Sequence, residues 1–94
     1  MGDERQRIAF AVRGRVQGVG FRAAAQREAA RLGLVGHVQN RSDGAVEGEA
    51  EGTASAVAEF VLWLGRGPAW SRVEAVDTAP CAAQPAEREF AVRR

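Results

Sequence analysis

Between positions 14 and 22 the chain reads Gly14-Arg15-Val16-Gln17-Gly18-Val19-Gly20-Phe21-Arg22, three glycines and two arginines in nine residues. Nowhere else does it combine so much backbone freedom with so much positive charge. Glycine takes positive φ at little steric cost, so the backbone here can close around a small group. A loop that opens into a helix adds the unpaired N–H groups of the first turn and the positive end of the helix dipole. Both favour an anion. Arg22, in the first helical turn, sets a planar charged fork beside them. The chemistry indicated is the holding of a phosphate-sized or carboxylate-sized anion.

Other glycine loops hold anions too. A Walker loop needs G-x-x-x-x-G-K-[ST], whereas Gly20 is followed by Phe21 and Arg22. Gly18-Val19-Gly20-Phe21-Arg22-Ala23 does satisfy the dinucleotide pattern G-x-G-x-x-A, and Asp43 stands where a ribose-binding acid would. Asp43-Gly44 is better read as a hairpin turn, which breaks the parallel winding that a dinucleotide fold requires. A flexible turn with solvated arginines is the other alternative, and three glycines with an arginine at a helix entrance, next to Asn40 on a neighbouring strand, weigh against it.

Positioning this loop requires a strand before it and a helix after it. In Arg7-Ile8-Ala9-Phe10-Ala11-Val12-Arg13 the residues Ile8, Phe10 and Val12 share one face, as in a half-buried strand. Apolar residues at Phe21, Ala24, Ala25, Ala29 and Leu32 form a helical stripe that Gly33 ends. Val35 to Asn40 reads as a second strand, and Ala45 to Glu51 returns beyond the Asp43-Gly44 turn. Glu47, Glu49 and Glu51 then lie on one face, expected to be solvated. Val57, Phe60, Val61 and Leu64 mark a second helix. Trp63 and Trp70 bracket its Gly65-Arg66-Gly67-Pro68 stop and read as core or rim aromatics. Strands over 72–78 and 89–93 close the chain. The fold class expected is α+β, ferredoxin-like (βαββαβ with a short extra C-terminal strand), an antiparallel-rich sheet with two helices on one face.

Composition bounds the rest. The chain has 94 residues, enough for one domain, 1–94. With 46% hydrophobic and 27% charged residues it suits a soluble globular protein. A formal net charge of +1 implies no global pull toward nucleic acid or membrane, so functional charge must be local. One histidine and one cysteine make a zinc cluster an unsuitable reading. Cys81 cannot form an internal disulfide, which fits a reducing compartment, and reads as incidental in its alanine- and proline-rich run. The start MGDERQR is charged and carries no apolar signal region, and no run reaches membrane-spanning length; the location expected is cytoplasmic.

Taken together, Gly14 to Arg22, Gly36-His37-Val38-Gln39-Asn40 and Asp43-Gly44-Ala45-Val46-Glu47 resemble the acylphosphatase family, over nearly the whole chain. The resemblance implies hydrolysis of acyl phosphates to a carboxylate and inorganic phosphate, without metal or cofactor. It implies that Arg22 binds the phosphoryl oxygens with backbone N–H groups of Arg15, Val16, Gln17, Gly18, Val19 and Gly20. By the same resemblance Asn40 holds the attacking water. The family commonly has tryptophan where this chain has His37, a departure expected to affect packing or solubility more than catalysis.

So small a set of groups suffices for this substrate. A carboxylate leaving group, whose acid has a pKa of about 4, departs without a proton from a general acid. Phosphoryl transfer then needs positioning and charge stabilisation. The alternatives are a non-catalytic anion-binding module of the same fold and an RNA-binding sheet. Base stacking needs exposed aromatics, and the chain has no tyrosine and places glutamates on the outer face. The partner expected is a small acyl phosphate, with no nucleic acid, no membrane and a free-standing monomeric chain.

Overall fold

The computed structural model describes residues 3–94; Met1 and Gly2, part of the charged start, lie outside the described residues. The elements run β1 (Arg5–Arg15), α1 (Phe21–Arg31), β2 (Val35–Asn40), β3 (Val46–Thr53), α2 (Ala54–Arg66), β4 (Arg72–Pro80) and β5 (Phe90–Val92). They form one five-stranded sheet in the order β4-β1-β3-β2-β5. β3 lies between β1 and β2 and is antiparallel to both, β4 is antiparallel to β1, and β5 runs parallel to β2. This is the expected ferredoxin-like plan with an added edge strand.

The alternation in β1 decides where the core sits. Ile8, Phe10 and Val12 are buried against Phe21, Ala25 and Ala29 of α1 and Val57, Phe60 and Leu64 of α2. Both helices therefore cover one face. The Phe60 ring meets Phe10 and Phe90 edge-on, at 5.6 and 5.7 Å between centroids. Truncating such a residue to alanine costs about 3–5 kcal/mol, so this cluster anchors α2 to strands at both ends of the chain. Trp63 packs on Phe21 and Phe60 at the rim of the core. Trp70 is not a core residue: it is 84% exposed, because the chain has already turned out of α2 and not yet entered β4.

The hairpin between β2 and β3 forms as its Asp-Gly pair predicts. Asp43 accepts the Ala45 N–H at 3.1 Å, and Arg41 N–H donates to the Ala45 carbonyl at 2.8 Å. Asp43 is thus spent on the turn and on Arg41, whose Nη2 lies 2.7 Å away.

The opposite face departs from the solvated row of glutamates expected above. Glu47, Glu49 and Glu51 do share that face, but Glu51 is only 1% exposed. The segment between β4 and β5 crosses over it. Cys81 N–H donates to the Arg7 carbonyl at 3.0 Å, and Gln84 N–H to Glu51 Oε1 at 2.8 Å. Beneath this strap Arg7, itself buried, pairs with Glu51, Glu49 and Glu87 at 2.9, 2.6 and 2.8 Å. Burial opposes the charge on Arg7, but the three carboxylates outweigh it and hold its pKa up. Cys81, which reads as incidental from the sequence, sits beside Glu49, and burial followed by that charge pushes its thiol pKa up.

Candidate active site

The glycine loop begins where β1 stops pairing regularly. A register shift falls between Arg13 and Gly14, and a Cβ on Gly14 would run into the Arg72 carbonyl of β4. Arg15 still faces Arg72 in the ladder and is exposed. Val16 then dives into the core at 1% exposure, with Val19 packed on the core edge and Phe21 buried behind it. These apolar anchors hold the loop against the domain. Gly18 and Gly20 take φ of 75° and 77°, with open space where a Cβ would be. Their role is therefore conformational: they turn the backbone amides without making room for a neighbour.

Gln17 adds a contact that nothing in its local sequence signals. Its Nε2 donates to the carbonyls of Arg41 and Ala45, at 2.7 and 2.9 Å. One side chain thereby ties the loop to the β2–β3 hairpin, directly beside Asn40.

The loop feeds α1 through Gly20, which offers no side-chain cap. The first bond of the helix is Ala24 N–H to the Gly20 carbonyl at 3.0 Å. Among the described residues, no N–H from Val16 to Ala23 donates to a protein acceptor. Unpaired amides at a positive helix end form a site for an anion.

Arg22 stands at that end, half-buried. Its Nη1 donates to the Arg93 carbonyl at 2.9 Å. The acceptor is neutral, so it orients the guanidinium without neutralising it. Asn40 reaches the same place from the last position of β2, on the face that buries Val38. Arg22 and Asn40 line one pocket of about 210 Å³, with Val16, Gly18, Gly20, Phe21 and Ala23. Val92 and Arg94 complete its wall from the C-terminal side. Arg15, Gln17 and Val19 do not line it; the first continues the strand, and the other two hold the loop in place. Among the described residues, none with a carboxylate, imidazole, thiol or hydroxyl side chain lines the pocket wall.

His37 points the other way, as strand alternation requires. It lines a separate hollow with Arg7, Glu49, Gln84, Glu87 and Arg93. Its Nδ1 is buried without a hydrogen-bond partner. Burial, reinforced by the Arg93 charge, pushes its pKa down. Among the described residues no group of three or more His, Cys, Asp or Glu is arranged to hold a metal ion.

Comparison with known proteins covers nearly the whole chain. The acylphosphatase family model matches residues 8–92. A curated acylphosphatase from Xanthomonas oryzae pv. oryzae is 48% identical over 82 residues, covering 87% of this chain and 93% of its own. The solved acylphosphatase structure from Coxiella burnetii superposes with a TM-score of 0.91 at 34% identity, covering 95% and 93% of the two chains. That from Bacillus subtilis gives 0.90 at 35% identity, covering 97% and 100%.

Proposed function

The chain belongs to the acylphosphatase family and is an enzyme that hydrolyses acyl phosphates, and on that premise we propose that the reaction takes place in the pocket between Arg22 and Asn40. Catalysis rests on Arg22, the loop amides and Asn40, without metal or cofactor. The observation that carries this reading is one pocket wall that joins the glycine loop and the first turn of α1, whose amides make no hydrogen bond ahead of Ala24, to Asn40 and to an arginine with no carboxylate partner.

In this mechanism the loop amides and the Arg22 fork take the phosphoryl oxygens, on which charge accumulates in the transition state. The Asn40 amide carries both a donor and an acceptor and orients a water in line with the leaving oxygen. An amide is not a base at neutral pH, so the water proton passes late, to the phosphate itself. The bond from phosphorus to the acyl oxygen breaks, and a carboxylate leaves with that electron pair. With an acid pKa of about 4 it needs no general acid, which suits a wall without acidic side chains.

We read residues 1–94 as one domain acting as a cytoplasmic monomer. The one-domain part of this reading is supported by one hydrophobic cluster among the described residues and a radius of gyration of 12.3 Å, close to the ~13 Å of a compact domain of about 100 residues. Among the described residues no helix is long and apolar enough to cross a membrane.

Steady-state hydrolysis of acetyl phosphate with EDTA present, comparing wild type, Arg22→Ala and Asn40→Ala, tests the assignment. Both variants should lose about 100- to 1,000-fold in kcat while remaining folded. Wild-type turnover by either removes that residue from the mechanism, and loss of wild-type turnover in EDTA removes its metal independence.

A further inference from the structure

Arg94 stands in the same pocket wall as Arg22 and Asn40, yet the mechanism above does not use it. Strand alternation puts Val92 and Arg94 on the pocket side, while Arg93 turns to the opposite face beside His37 and Glu49. Among the described residues neither Arg22 nor Arg94 is within ion-pair distance of a carboxylate, as is also true of several surface arginines; what sets these two apart is that both line this pocket. The pocket, about 210 Å³, is many times the ~10–15 Å³ that one water needs, so it holds more than a lone water. Exposed Arg94 borders the pocket beside Val92, where the acyl half of a substrate held through its phosphate by Arg22 would lie.

We propose that Arg94 recognises a carboxylate at the far end of the acyl group, so that the preferred substrates are monoacyl phosphates of short dicarboxylic acids. This rests on the reading of the pocket given above. A guanidinium presents a planar pair of donors that matches a carboxylate, and a neutral acyl chain has nothing to offer it. Phosphate and carboxylate are then held by two different arginines, Arg22 inside and Arg94 at the rim. Because Arg94 is exposed, its contribution is moderate and falls with added salt.

The test is the ratio of kcat/KM for succinyl phosphate to kcat/KM for butyryl phosphate, which differ in a terminal carboxylate against a methyl group. At low ionic strength the wild-type ratio should exceed one by about two- to fivefold. Arg94→Gln should bring it to about one, Arg94→Glu should invert it, and Arg94→Lys should keep part of it. Arg93→Gln, on the other face, should leave the ratio at the wild-type value. A wild-type ratio of one or less, an Arg94→Gln ratio equal to wild type, or an equal fall in Arg93→Gln overturns the proposal. Absence of wild-type turnover of both substrates is a separate result, and overturns the reading of the pocket itself.

Discussion

The Arg22 guanidinium is held by the main-chain carbonyl of Arg93, 2.9 Å from Nη1 and 71 residues away in the chain. One rung earlier, Arg93 N–H donates to the Val38 carbonyl at 2.8 Å, so β5 reaches this point already locked to β2. The short edge strand therefore fixes the arginine at the loop, and it does so without cancelling its charge. Arg22→Lys retains the charge but not the fork. It should fall well below wild type in kcat for acetyl phosphate, with an unchanged urea midpoint. Equal activity would show that charge alone is sufficient.

Gln17 bridges the loop to two carbonyls of the hairpin next to Asn40. Removing it in Gln17→Ala should lower stability by about 1–2 kcal/mol, the worth of two net hydrogen bonds. It should also raise KM, since the amides then lose their fixed aim. Urea denaturation and acetyl phosphate kinetics on the same preparation check both halves.

Glu51 is buried with Arg7 under the strap, and breaking a buried ion pair from one side is costly. Glu51→Gln should lose about 3 kcal/mol, toward the low end because Glu49 and Glu87 still face Arg7. The pH dependence has a definite sign. The Gln84 N–H, assisted by Arg7, holds the Glu51 carboxyl below its usual range, and Arg7 does the same for Glu49. Their stabilisation is present above the unfolded-state value of about 4.3 and is lost as the pH falls through the lower folded-state values. Urea midpoints measured from pH 7 down to pH 2 should fall less steeply in Glu51→Gln than in wild type.

His37 carries a buried nitrogen with no partner. His37→Phe should therefore gain about 1 kcal/mol, the order of the desolvation it relieves. The depressed pKa means that wild type loses stability as the pH falls below the unfolded-state value of about 6.5. The stability gap between variant and wild type should thus widen from pH 7 to pH 5. Acetyl phosphate turnover should not change, as the ring lies across the sheet from Asn40.

What could be read from residue order was whatever depends on short range. The alternation of Ile8, Phe10 and Val12, the Asp43-Gly44 turn and the glycine loop before α1 are local patterns with local causes. That Arg22 and Asn40 belong together comes from the resemblance to the acylphosphatase family, and the split βαβ order of β1, α1 and β2 is what brings them to one pocket. The rest depends on closure between distant segments. Alternation puts Glu51 on a face, but only the strap through Cys81 and Gln84 decides that this face is covered. Gln17 and the Arg93 carbonyl gain their contacts, and Arg94 its place in the pocket wall, from how distant segments meet, and no periodicity encodes that. Arg94 had one usable sign, its two-residue spacing from Val92.

Hydrolysis of acetyl phosphate by the wild-type enzyme in water enriched in oxygen-18, under single turnover, is the most direct measure of what the pocket does. Attack on phosphorus by a water held between Asn40 and Arg22 places the label in inorganic phosphate and leaves the acetate unlabelled. Label in the acetate would mean attack at the acyl carbon, and would contradict the assignment of Arg22 and the loop amides to a phosphoryl transition state.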